Sequence, residues 1–408
     1  MRNVVITGIG PVTPIGIGKQ EFWQSLVDAK SNYSAITRFE LQDYDKIRIA
    51  AQIPNFNIRD HLDIPTYKAI EKLNSPNAGL AISFLLAAAR LAIQDSNINL
   101  KESDKQRIGT IIGSGLGDLG IIQSQNINFT RSALALPSSL SSLVSREFQI
   151  NGVSRVSSAA CASGNIALEE GYEKIKNSTH DIMIVGSCES PIGTPYFYGN
   201  KKDRTKGTKG LSIANDLENG MIPFDKERVG PVLSEGAGVL ILEEEEHALK
   251  RGAKIYAQII STGNYTCFDT NLLRITKQGY YNSMQLALQR ANLGPNLGFY
   301  VNAHGTSSIM NDKFESLAIN QLLGNKTLTS SFKGTLGHSQ AASSSIELIG
   351  CVLALKKEII PKTNLKQVAG DCADLDYVKE KRSLDSDYII KNAAGFGGLY
   401  STIILGKY

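Results

Sequence analysis

Hydrophobic residues along this chain follow two rhythms. Short runs of β-branched and apolar residues that stop at glycine or at polar clusters read as buried strands. Residues 2–8 (RNVVITG), 107–113 (RIGTIIG), 181–186 (DIMIVG) and 236–243 (GAGVLILE) are of this kind. Between them lie segments of helical period. Residues 19–29 (KQEFWQSLVDA) are amphipathic, residues 78–96 are apolar almost all round and predict an internal helix, and residues 165–177 predict another. A second round follows: strand 256–263, helix 282–291, strand 299–303, helices 312–323 and 341–356, and strands 387–391 and 401–405. Alternating strands and helices predict an α/β fold. The two rounds meet near residues 246–254, which predicts a duplicated unit divided into 1–250 and 251–408. Residues 198–222, rich in Gly, Lys, Asn and Asp, predict a long surface loop.

Composition narrows the picture. With 408 residues, 42% of them hydrophobic, the chain can bury a sizeable core. A net charge of +4 is small for this length and argues against nucleic-acid binding. No run of apolar residues is long enough to predict a membrane span, and MRNVVITGIG lacks the apolar core of a signal peptide. The five cysteines are scattered without a CxxC pair, which argues against zinc and against a disulfide framework. A cytoplasmic protein with reduced thiols is the expectation.

Candidate chemistry gathers at three turns. SSAACASG (157–164) sets Cys161 among small residues where a strand passes into a helix. A helix N-terminus favours the thiolate, and small neighbours admit an acyl group. A buried inert thiol is the alternative reading, and it is the one adopted for Cys188, Cys267, Cys351 and Cys372. VNAHGT (301–306) runs a strand into His304, and KGTLGHS (333–339) sets His338 between a glycine and a helix. Each histidine alone is compatible with a structural role. One thiol and two imidazoles on glycine-flanked turns together suit acyl-thioester chemistry. The sulfur takes the acyl group, and neutral imidazoles donate to an oxygen that gains charge. His61, His180 and His247 lie in polar stretches and are expected to face solvent.

ACASG, NAHGT and KGTLGHS, in that order, resemble the β-ketoacyl-acyl-carrier-protein synthases. So do VVITGIGPVTPIG near the start, PFDKERVGPVLSEGAGVLILEEEEHALKRGAKIYA in the middle and GFGG near the end. The resemblance covers essentially the whole chain. It implies the thiolase fold, two related α/β halves in a five-layered αβαβα arrangement. The nucleophile would lie in the N-terminal half (1–250) and both histidines in the C-terminal half (251–408). It implies decarboxylative Claisen condensation without a cofactor, the substrates arriving on the phosphopantetheine arm of acyl carrier protein. By the same resemblance Cys161 is the nucleophile, and His304 and His338 hold the malonyl thioester oxygen. The backbone amides of Cys161 and Phe396 form the oxyanion hole, with Gly395, Phe396 and Gly397 as the gate. Lys333 and Glu315 are an ion pair orienting His304, and Asp312 holds its loop. Thr306 and Ser308 match positions that bind the phosphopantetheine arm, and they also suit ordinary turn hydroxyls. Lys68, Lys72, Lys201, Lys202 and Arg204 are candidates for docking the acidic carrier protein, or a solvated face.

Finer features resemble one branch. Cys-His-His, rather than Cys-His-Asn, is similar to the branch that takes both substrates from carrier protein. GTSSIMNDKFES, GFGGLYSTIIL and DCADLDYV are similar to the catalytic ketosynthase subunit of type II polyketide synthases. That branch implies a heterodimer with a chain-length factor lacking the nucleophile, its dimer face built partly near residues 181–186. Ala394 stands where fatty-acid members usually carry phenylalanine, and Ile222 replaces the arginine of RPFD. The alternatives are a fatty-acid elongating 3-oxoacyl-acyl-carrier-protein synthase acting as a homodimer, and a noncatalytic scaffold subunit. The intact Cys161, His304 and His338 argue against the last.

Overall fold

The computed structural model describes residues 2–41, 47–62, 79–122, 129–192, 217, 220–268 and 271–408. The β-branched runs form the strands. Those of the first round are β1 (Val4–Thr13), β2 (Ile108–Gly113), β3 (Ser154–Ser157), β4 (Ile182–Glu189) and β5 (Gly236–Glu244). The second round supplies β6 (Ala257–Thr266), β7 (Tyr300–Asn302), β8 (Leu328–Ser330), β9 (Asp376–Tyr377), β10 (Tyr388–Gly395) and β11 (Leu399–Lys407). They run across one sheet in the order β3-β2-β4-β5-β1-β6-β11-β10-β7-β8-β9. From the centre outward, β1-β5-β4-β2-β3 and β6-β11-β10-β7-β8 follow the same path. In each half the two inner pairings are antiparallel and the next two parallel. The duplication is thus carried by topology, whatever the sequences of the two rounds. β1 and β6 join the halves through only Val4–Ile6 against Ala257–Ile259.

The helices arrange the halves in layers. α1 (Leu80–Ser96) covers β1 and β5, and α2 (Ser138–Phe148) covers β2 and β3. On the other side α4 (Lys277–Ala291) covers β6 and β11, with α5 (Ile309–Leu323) packed on α4. Two helices touch both halves. α3 (Ser163–Lys176) contacts β2 and β4 as well as β11, and α6 (Ala341–Lys357) contacts β4 and β5 as well as β10 and β11. Outer helices, half-sheet, central helices, half-sheet and outer helices make the five-layered αβαβα thiolase fold. Every residue of α6 from Ala341 to Leu355 is buried, so its polar side chains must find partners inside the protein. They find them around α3. Ser345 Oγ accepts from Ser187 Oγ at 2.8 Å, and Ser344 Oγ donates to the carbonyl of Cys161 at 2.6 Å. Gly164 lets the central helices approach, since a Cβ there would lie 2.5 Å from Ser345 Oγ.

Some expectations change. The first strand continues through GIGPVT to Thr13, because a bulge between Ile6 and Gly8 keeps it paired with β5. The helix expected from residue 282 starts at Lys277 on a side-chain cap from Thr276. Of residues 181–186, expected near a dimer face, Ile182–Gly186 belong to β4, which is buried and hydrogen-bonded along both edges, and Asp181 directly precedes it. The outermost strand on that side is β3, with Ser154 and Arg155 exposed. His180 is buried rather than solvent-facing, its Nε2 accepting from the Val153 amide at 3.2 Å. Lys68, Lys72, Lys201, Lys202 and Arg204 lie outside the described residues, as does most of 198–222. Among the described residues no helix is long and apolar enough to cross a membrane.

Candidate active site

The turn between β3 and α3 carries the thiol. Ala160 sits at φ +49°, in the left-handed region, which costs an L-residue roughly 1–2 kcal/mol. Ser163 holds that conformation: its Oγ accepts from the Ala159 amide at 2.9 Å and donates to the Ala160 carbonyl at 2.6 Å. Gly395, closing β10, packs against the same turn. A Cβ there would stand 2.3 Å from the Ala159 carbonyl oxygen, so only glycine brings the GFGG segment beside Cys161. The Cys161 thiol is buried, with Sγ 3.3 Å from Gln340 Oε1. Burial pushes it up to about 12, while Lys333 pulls the other way. Burial thus opposes the thiolate that the helix N-terminus and Lys333 favour.

His304 follows β7 and is fixed by its backbone. Glu315, on α5, accepts from the His304 amide at 2.7 Å and the Gly305 amide at 2.8 Å. The expected Lys333–Glu315 pair does not form. Lys333 opens a short helix that directs it towards α6, where its Nζ meets Glu347 Oε1 at 2.5 Å and His304 Nδ1 at 3.4 Å. Lys391 closes a triad, its Nζ 2.8 Å from Glu347 Oε2. An ammonium can only donate, so Nδ1 accepts and the His304 proton resides on Nε2. Sequence reasoning missed Glu347 and Lys391. Their signal was a charge inside each of two apolar runs, SSSIELIGCVL and YIIKNAAG.

His338 is held by Val232, whose carbonyl accepts from its amide at 2.8 Å, and by Ser343 Oγ, 3.0 Å from its Nδ1. The two imidazole rings stand 5.5 Å apart at 84°. Burial and Lys333 hold both well below the ordinary value of 6.5. The folded values are lowered, so each neutral ring contributes stability present above pH 6.5 and lost as the pH falls towards the folded value. Both rings therefore stay neutral donors at working pH. Malonyl decarboxylation is expected to show no limb near the ordinary imidazole value between about pH 6 and about pH 8. Initial rates of carbon dioxide release check this, and a midpoint near 6.5 would mean a freely titrating histidine.

Cys161, His304 and His338 open onto one cavity, whose walls also include Thr306, Ser308, Gln340, Ala394 and Phe396. Phe396 is half-exposed at its rim, beside Gly397. Thr306 Oγ1 and Ser308 Oγ bond to each other at 2.9 Å. Asp312 stays off the cavity lining and accepts from the Phe224 amide at 2.8 Å. The backbone N–H groups of Cys161 and Phe396 have no backbone acceptor among the described residues, and the Cys161 amide faces its own thiol.

Known proteins resemble this chain in sequence and fold. The family description "Beta-ketoacyl synthase, N-terminal domain" matches residues 1–248, and "Beta-ketoacyl synthase, C-terminal domain" matches residues 256–365. The chain is 33% identical, over all of its length and 98% of the relative's, to 3-oxoacyl-[acyl-carrier-protein] synthase 2 of Synechocystis sp.. The ishigamide ketosynthase/chain length factor superposes with a TM-score of 0.89 at 28% identity, covering 100% of this chain and 99% of that one. A type II polyketide ketosynthase, bound to a hexaketide and in complex with its acyl-carrier protein, gives 0.87 at 28% identity, with the same coverage. The chain belongs to the β-ketoacyl synthase family of acyltransferases.

Proposed function

We propose that this β-ketoacyl synthase is the catalytic ketosynthase subunit of a type II polyketide synthase, with Cys161, His304 and His338 as its catalytic residues. The observation that carries the chemistry is the meeting of one thiol and two neutral imidazoles at a single cavity. Cys161 Sγ attacks the acyl thioester delivered by carrier protein, the amides of Cys161 and Phe396 receive the oxyanion, and the pantetheine sulfur leaves as a thiol, taking up the proton that the Cys161 thiol gives away. Malonyl-carrier protein then takes its place, with Thr306 and Ser308 bonding the pantetheine arm. Its C–CO2 bond breaks, carbon dioxide departs, and the electron pair becomes an enolate whose oxygen His304 and His338 hold. The enolate carbon attacks the Cys161 thioester, the C–S bond breaks with the electron pair on Sγ, which takes a proton from solvent to restore the thiol, and the β-ketoacyl chain leaves on carrier protein. No step needs a cofactor. Asp312 and Glu315 support the loop that carries His304, and Lys333 sets its tautomer.

The polyketide assignment is supported by GTSSIMNDKFES, GFGGLYSTIIL and DCADLDYV, by Ala394 in the cavity wall, and by likeness to ketosynthases of that class. The identity to 3-oxoacyl-[acyl-carrier-protein] synthase 2 favours the second reading, fatty-acid elongation. Five free cysteines suit a cytoplasmic setting. Co-expression with a subunit of similar length that lacks the nucleophile separates the readings. The expected result is a heterodimer that forms polyketide from malonyl-carrier protein, read by intact-complex and product mass. A stable homodimer that elongates saturated acyl chains unaided would support fatty-acid synthesis instead.

A further inference from the structure

Gln340 has no part in the condensation steps, yet it touches the reacting sulfur. It stands between the turn of His338 and the first residue of α6, at φ +51° and ψ −121°. That region belongs to glycine, and a residue with a side chain is held there only when its surroundings demand it. The outcome of this conformation is a primary amide on the cavity wall, with Oε1 3.3 Å from Cys161 Sγ. The amide's two N–H donors have no acceptor among the described residues.

The position restricts what those donors can meet. In an acyl-enzyme the carbonyl carbon is bonded to Sγ, and its oxygen is directed to the amides of Cys161 and Phe396. A group 3.3 Å from Sγ lies within reach of the substituents on the first carbons of the attached chain, C3 among them. We propose that Gln340 is a specificity-determining residue that selects acyl chains carrying an oxygen at C3, a ketone or a hydroxyl, by donating a hydrogen bond to it. A saturated chain at this place offers only methylene groups and leaves the donors unpaired in a partly dry cavity. Sites built to bond a substrate oxygen discriminate against its absence in this way. The inference rests on Cys161 being the acyl acceptor.

Acetoacetyl- and butyryl-carrier protein differ only by the C3 ketone, so they isolate the effect. The rate constants kcat/KM for acylation of Cys161 by each are measured by intact-protein mass for the wild type and for Gln340→Leu. The intrinsic reactivity of the two thioesters cancels when the acetoacetyl-to-butyryl ratios are compared. The expected result is a ratio about tenfold lower in the variant, the weight of one hydrogen bond. Gln340→Gly keeps the test open if leucine disturbs the turn, because glycine suits φ +51° and also removes the amide. It should lower the ratio by a similar factor. A ratio unchanged in both variants, with acylation intact, would overturn the role of Gln340 alone. A wild type that accepts neither thioester would overturn the acyl-acceptor assignment as well.

Discussion

Cys161→Ala is expected to abolish condensation completely, while Cys161→Gln loses condensation and still releases carbon dioxide from malonyl-carrier protein. No other thiol can substitute. Cys188 and Cys351 are fully buried away from the cavity, and burial pushes both further up. Cys267 and Cys372 do not line it. Without an acyl-enzyme the enolate has no partner, so no carbon–carbon bond forms. Decarboxylation needs only the bound malonyl group and two imidazole donors, and both rings are held by groups other than Cys161, namely Lys333 and Ser343. Glutamine also presents a carbonyl where the acylated thiol would present one. Paired assays of β-ketoacyl product and of carbon dioxide check the split, and condensation surviving in Cys161→Ala would remove Cys161 from the mechanism.

His338→Ala is expected to slow malonyl decarboxylation by about 10²–10³, the usual cost of deleting one donor to a developing oxyanion, while self-acylation stays measurable. The two half-reactions should separate because they use different groups. His338 is not among the residues that shift the Cys161 thiol, where burial, Lys333 and Glu189 dominate. The amides of Cys161 and Phe396 do not depend on the imidazole. Single-turnover rates of acylation and decarboxylation measure each half, with thermal unfolding as the control for the fold. Equal losses in both would mean that His338 serves the thiol or the structure rather than the enolate.

Much of this was legible because local pattern determines local structure. The β-branched runs became strands, Cys161 and His304 lie on turns that follow strands, and His338 lies between Gly337 and a helix, as the spacing predicts. Strand order was not legible. Nothing local says that β11 lies beside β6, or that α3 and α6 share one layer between the halves. Charge pairing failed for the same reason, since Glu347 meets Lys333 and Lys391 only across the fold. For the thiol, a helix N-terminus is visible in sequence, whereas the burial that opposes a thiolate comes from α6 and the GFGG segment and is not. His180 looked polar by its neighbours, yet the Val153 backbone covers it. Gln340 carried no sequence signal, because its importance lies in a backbone conformation and a contact with Cys161.

The central claim is that acyl transfer and condensation pass through a single thioester at Cys161. A pulse and chase with peptide-resolved mass spectrometry tests it most directly. The enzyme is loaded with an isotopically labelled acyl group from carrier protein, digested, and mapped, then chased with malonyl-carrier protein. The account predicts one labelled peptide, the one containing Cys161, and on the chase a transfer of label into β-ketoacyl-carrier protein with one carbon dioxide released per label lost. Label on another residue, or label on Cys161 that the chase leaves in place, would contradict it.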